Sequence, residues 1–123
     1  MSHHNTSAER RRHPRIKEGV QLILKAEDFD TVTETINLSC LGVYCQLNKH
    51  IPLMTSLKIA LALPLGDQSK DLEYVECQGV VVRVEEAGSH PHKGGVYNTA
   101  IYFNKIEKSE REKIERLVET RRG

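Results

Sequence analysis

Leu57, Ile59, Leu61 and Leu63 alternate with Lys58, Ala60 and Ala62, the cleanest period-two pattern in the chain. Side chains of a strand point alternately to its two faces, so this spacing predicts a β-strand with an apolar side, stopped by Pro64 and the polar run Gly66 to Asp71. Similar patterns occur on either side. Val20, Leu22 and Leu24 alternate with Gly19, Gln21, Ile23 and Lys25 ahead of a turn at Asp28-Phe29-Asp30. From Thr31 the β-branched content is high, with Val32, Ile36 and Leu38 on one side and Thr33, Thr35, Asn37 and Ser39 on the other. That phasing sets Asn37 and Ser39 together on the polar face of one strand end. Gly42 follows, where the backbone can turn sharply or approach another group closely. Val43, Cys45 and Leu47 resume the alternation until Asn48, Lys49 and Pro52 end it.

Tyr74 to Glu85 is a long β-rich run in which Gly79 marks a bulge or bend, Val80, Val82 and Val84 face one way, and Val81 and Arg83 the other. Gly88 to Gly95, with Pro91 between two histidines, reads as a flexible hairpin loop. Tyr97, Thr99, Ile101 and Phe103 against Asn98, Ala100 and Tyr102 give the last strand. At Ser109 the period changes. Ser109 with Glu112 forms a capping box, and Ile114, Leu117 and Val118 fall on one stripe of a helix over residues 109–120. Six strands and one amphipathic helix argue for a mainly β chain: a small antiparallel barrel or curled sheet with the helix packed on it.

A chain of 123 residues is expected to form one domain with a real core. The formal net charge of +1 lacks the basic excess that suits a long polyanion such as duplex DNA. The charge is uneven, however. Arg10, Arg11, Arg12, Arg15 and Lys17 stand against Glu9 alone in the first 17 residues. Pro14 fixes its own φ and turns His13 away from helical geometry, so these arginines sit on an irregular or extended arm over residues 9–18, behind a mobile tail over residues 1–8. Guanidinium forks suit phosphate oxygens or the O6/N7 edge of guanine, and a compact anion is the implied partner, against the plainer reading of a solubilising tail.

Cys40, Cys45 and Cys77 form no CxxC pair, no signal-peptide pattern precedes them, and no apolar stretch is long enough to span a bilayer, so the expected compartment is the cytoplasm, without membrane insertion. The cysteines read as structural rather than metal-binding, His90 and His92 lack ligand-spaced neighbours, and no nucleophile-and-base or P-loop motif is present. No metal, cofactor or enzymatic activity is expected.

The arm and the strand end together resemble the PilZ domain family, whose signature pairs an RxxxR motif with [D/N]xSxxG about twenty residues later. Here Arg11 to Arg15 supplies the first and Asn37-Leu38-Ser39-Cys40-Leu41-Gly42 the second. The likeness continues through a GxVxxV-like run from Gly79 and a closing strand ending at Phe103, with the barrel over residues 19–104. Ala100 departs from it, where many members have glycine. What the resemblance implies is a six-stranded antiparallel barrel with a C-terminal helix that receives cyclic di-GMP and passes the signal to an unidentified protein partner, as a monomer or weak dimer. An adaptor that works by protein contact without the nucleotide is the alternative. On that resemblance Arg11, Arg15, Asn37, Ser39 and Gly42 are the ligand residues. Arg10 and Arg12 add attraction or further forks, and Arg83 lays its guanidinium on a guanine unless it is simply a solvated strand arginine.

Overall fold

A computed structural model describes residues 14–66, 70–90 and 94–122. The tail over residues 1–8 and Arg10, Arg11 and Arg12 of the arm lie outside the described residues. Six antiparallel strands, β1 (Gln21–Lys25), β2 (Asp30–Leu38), β3 (Gly42–Leu47), β4 (Ser56–Pro64), β5 (Leu72–His90) and β6 (Gly94–Lys105), precede one helix, α1 (Lys108–Arg122). The sheet closes in the order β1-β2-β3-β6-β5-β4, and β4 pairs back onto β1, so the expected barrel with a C-terminal helix is the observed architecture. Closure leaves no open sheet edge to template association.

The strands form where alternation predicts them. Leu22, Leu24, Cys45, Leu61, Val75 and Val81 are completely buried inside the barrel. On α1 the stripe Ile114, Leu117 and Val118 joins the same core, each side chain contributing about 1.5–3 kcal/mol by leaving water. Polar contacts fix the helix against β5. Lys113 Nζ donates to the Tyr74 carbonyl at 3.0 Å, and the Glu76 amide donates to Glu110 Oε1 at 2.9 Å.

Four local expectations change. On β2 the faces are the reverse of those expected, since Val32 is 60% and Ile36 39% exposed while Thr35 is buried. Directly paired residues share a face, and β2 pairs Thr31 with Leu24 and Thr33 with Leu22, so the threonines go inward with the leucines of β1. The buried Thr35 hydroxyl is satisfied: its Oγ1 accepts from the Val20 amide at 3.0 Å and donates to the Glu18 carbonyl at 3.1 Å. A register shift between Thr35 and Asn37 then restores the phase that buries Leu38.

On β5 Gly79 sits at a register shift, as expected, and a second shift between Val81 and Arg83 separates the two faces differently from simple alternation. Val81 is in the core, Val82 is 49% exposed, and Val84 packs partly against the core. The Gly88 to Gly95 segment is mostly strand, with Gly88 opposite Val96, Ser89 opposite Gly95 and His90 opposite Gly94. Finally, α1 starts before Ser109. The Arg111 amide bonds the Glu107 carbonyl at 2.9 Å, so Ser109 lies within the first turn and does not cap it.

Candidate functional site

The arm enters the barrel through a short antiparallel bridge. The Ile16 amide donates to the Leu38 carbonyl and the Leu38 amide to the Ile16 carbonyl, each at 2.9 Å, and Ile16 is buried. Neighbours of inward residues point outward, so Arg15 and Asn37 emerge side by side on the outer wall. Arg15 Nη1 donates to Asn37 Oδ1 at 2.9 Å. Among the described residues this leaves the Asn37 amide nitrogen with two donors unengaged.

Past Leu38 the chain turns tightly. The Ser39 amide donates to the Gly42 carbonyl at 3.0 Å, and Ser39 Oγ accepts from the Leu41 amide at 3.1 Å. Ser39 is 1% exposed, so it does not share the face of Asn37 as the alternation implied. Three consecutive buried residues, Leu38 to Cys40, show that the strand period has ended there. Gly42 is the site of a close backbone approach, as its sequence position suggested. A Cβ there would lie 2.3 Å from the Ile101 carbonyl oxygen, so what needs the glycine is the approach of β6. Ser39 shapes the site from beneath.

Across the outer wall, register aligns Asn37 with Tyr44, Tyr44 with Ala100 and Ala100 with Arg83. This row spans three inter-strand spacings, about 14 Å. It runs along a cleft of about 490 Å³ with Gly42 and Ala100 among its lining and Tyr102 beside them, 48% exposed. The charged side chains lining it among the described residues are Arg15 and Arg83. The Arg83 guanidinium carbon lies 5.8 Å from the Tyr44 ring centre, within cation–π range, so it stands over an aromatic plane. The wall therefore offers cationic forks at both ends, an amide, and two tyrosines around small residues. That chemistry suits an anion carrying flat, hydrogen-bonding rings.

Tyr44 and Tyr102 are additions to the residues singled out from sequence. Their outward parity with Gly42 and Ala100 was the available signal. The structure brings Arg15, Asn37, Gly42 and Arg83 to one cleft and holds Ser39 in the turn below it; Arg10, Arg11 and Arg12 are outside the described residues. A larger cleft, about 940 Å³, lies on the β1, β4 and β5 wall and contains none of these side chains.

Burial pushes the Cys45 thiol up to about 12, and burial with the nearby Glu110 charge does the same to Cys77. Cys40 is also raised, by burial first and then by the Glu115 charge. Among the described residues no cluster of three or more His, Cys, Asp or Glu side chains is arranged to hold a metal, and no helix is long and apolar enough to cross a membrane.

Comparison with known proteins agrees with this architecture. The model of the PilZ domain family matches residues 9–120. The inhibitor of motility MotI/DgrA of Bacillus subtilis superposes with a TM-score of 0.73 at 17% identity, over 91% of this chain and 51% of that one. The PilZ domain of Escherichia coli YcgR, solved with c-di-GMP, gives 0.61 at 13% identity over 90% of both chains. The K. pneumonia MrkH complex with c-di-GMP gives 0.62 at 15% identity, over 91% of this chain and 54% of that one. The chain thus spans about half the length of MotI and MrkH, and at these identities the likeness is one of fold. A comparison with curated proteins found no match. With its family model covering the arm, the barrel and most of the helix, the chain belongs to the PilZ domain family.

Proposed function

We propose that this domain is a receptor for cyclic di-GMP, acting in the cytoplasm without catalysis. The observation that carries the reading is the side-by-side placement of Arg15 and Asn37 at one end of a cleft whose other end holds Arg83 above Tyr44. Cyclic di-GMP has two phosphates and two guanines, and a row of about 14 Å accommodates a dinucleotide better than a single nucleotide. Arg15 supplies a fork for phosphate or for a guanine O6/N7 edge, and the Asn37 amide nitrogen donates to a base acceptor. Arg83 and the two tyrosines provide faces for stacking. Arg11 is the first arginine of the RxxxR motif that Arg15 ends, and Arg10 and Arg12 add positive charge.

In this reading the base of the arm is a fixed hinge. Ile16 is bridged to Leu38, and Glu18 pairs with Arg121 of α1 at 2.6 Å. The arginines before Pro14 then close over the bound nucleotide and change the surface offered to a protein partner. Titration calorimetry of the purified domain with cyclic di-GMP, with GTP and cyclic GMP as controls, tests the reading. Saturable heat with cyclic di-GMP alone is expected, and its absence leaves the adaptor reading.

A further inference from the structure

The wall made by β1, β4 and β5 carries a different chemistry from the arginine cleft. Pairing sets Lys25 opposite Lys58, Lys58 opposite Gln78, and Gln78 opposite Lys105, so one exposed transverse row crosses four strands with three ammonium groups on it. Like charges directly opposite one another destabilise a sheet. No carboxylate among the described residues makes an ion pair with Lys25, Lys58, Lys105 or Arg111. The fold thus keeps a like-charged pair that no ion pair among the described residues offsets.

These four cations line the groove of about 940 Å³, with half-buried Ile23, Ala60 and Ile106 as its apolar part. Glu76 and Glu107 are the two carboxylates in the same lining, outnumbered two to one. No residue is shared with the arginine cleft.

We propose that this groove docks an acidic segment of a protein partner, lying along the lysine row with apolar side chains set on its floor. Three observations select that occupant. The lysine row spans three inter-strand spacings, about 14 Å, whereas a compact phosphate needs converging donors. Three of the four cations are lysines, point charges without the fork that reads phosphate geometry. The apolar floor takes aliphatic side chains between the carboxylates, and its concavity fits an inserted segment better than a flat lipid surface. The chain's own first 13 residues, with Arg10, Arg11 and Arg12 against Glu9, have the wrong sign to fill it. The inference stands independently of the nucleotide reading.

Fluorescence anisotropy of the full chain with a labelled peptide of repeated Glu-Leu-Glu-Gly units tests it, with a Lys-for-Glu peptide as control. Saturable binding of the acidic peptide alone is expected. Lys58→Glu should weaken it about fivefold or more, because it places a like charge against the peptide, and Arg111→Gln should weaken it in the same direction. Lys58→Glu also turns the repulsive pair with Lys25 into an attractive one, so the variant should melt no lower than the parent and should titrate cyclic di-GMP as the parent does. Unchanged peptide binding in both variants overturns the proposal. So does sodium triphosphate, or vesicles of phosphatidylserine, binding more tightly than the peptide in a manner lost with Lys58→Glu.

Discussion

Arg15 and Asn37 are 22 residues apart in the chain, yet Arg15 Nη1 lies 2.9 Å from Asn37 Oδ1. The contact joins the described end of the arginine motif to the first residue of the strand-end motif. Removing one bidentate or base contact should weaken cyclic di-GMP binding by about 1–3 kcal/mol, roughly five- to a hundredfold in Kd. Because the two side chains touch, Arg15→Ala and Asn37→Ala should not add: a coupling of about 0.5–3 kcal/mol is expected in the double variant. Calorimetry on the four proteins measures it, and additive losses would mean that the pair acts as two separate contacts.

Gly42→Ala should be a folding variant before it is a binding variant. Its Cβ would press to 2.3 Å on the Ile101 carbonyl oxygen, backbone that moves only with β6. Overpacking of this kind costs about 1–3 kcal/mol. Ser39→Ala should also lower stability, by about 1–3 kcal/mol, since the part-buried Leu41 amide loses its acceptor. Urea denaturation checks both. A Ser39→Ala protein as stable as the parent but weaker in binding would return Ser39 to the ligand face.

The barrel was legible because Val43 to Leu47 and Thr99 to Phe103 bury every second residue, and Leu57 to Leu63 does the same apart from the buried Ala62. The faces of Val32, Ile36 and Val82 were not, because side-chain phase is inherited from the partner strand and shifts at bulges, which local periodicity does not encode. The site divides the same way. Arg15, Asn37 and Arg83 followed from residue type and motif, whereas the burial of Ser39 depends on a turn whose hydrogen bonds close across Gly42. Tyr44 and Tyr102 had only their parity with Gly42 and Ala100 to mark them, because they join the site once β3, β6 and β5 are set edge to edge.

Glu110 should make part of the stability pH-dependent. Its hydrogen bond with Lys113, then that from the Glu76 amide, hold its carboxyl below the usual range. A carboxyl whose pKa is lower folded than unfolded contributes its stability above the unfolded value, about 4.3, and loses it as pH falls through the folded one. Glu110→Gln should therefore be less stable than the parent at neutral pH, and the two should converge in strong acid. Parallel urea titrations at several pH values give the comparison; a constant gap down to low pH would mean that shape, and not charge, holds the helix there.

Salt should weaken cyclic di-GMP binding. The first 17 residues hold five cations and one acid, and the charged lining of the cleft among the described residues is Arg15 and Arg83. The Debye length shortens from about 8 Å near physiological ionic strength to about 3 Å at 1 M, so attraction for a dianion is screened. Calorimetry across that range is the measurement, and a flat affinity would assign the binding to stacking and hydrogen bonds.

The arm should respond to ligand in two parts that meet at Pro14. Ile16 is buried and exchanges two backbone hydrogen bonds with Leu38, and the Glu18 carboxylate holds Arg121 at 2.6 Å, so the segment after Pro14 is anchored before any nucleotide arrives. The amides of Ile16 and Leu38 should accordingly be protected from exchange in the free domain and change little on binding. Residues 9–13 are Glu9, three arginines and His13, with no hydrocarbon side chain, so burial would give them little that offsets ordering entropy, and on the proposed reading charge-assisted bonds to phosphate would hold them. New protection on adding cyclic di-GMP should therefore appear N-terminal to Pro14 and stop there. Amide exchange with and without the nucleotide locates the boundary. Protection of residues 9–13 already present in the free protein would make the site preformed, and the signal would then have to travel through the Glu18–Arg121 pair to α1, where Arg121→Ala would break it.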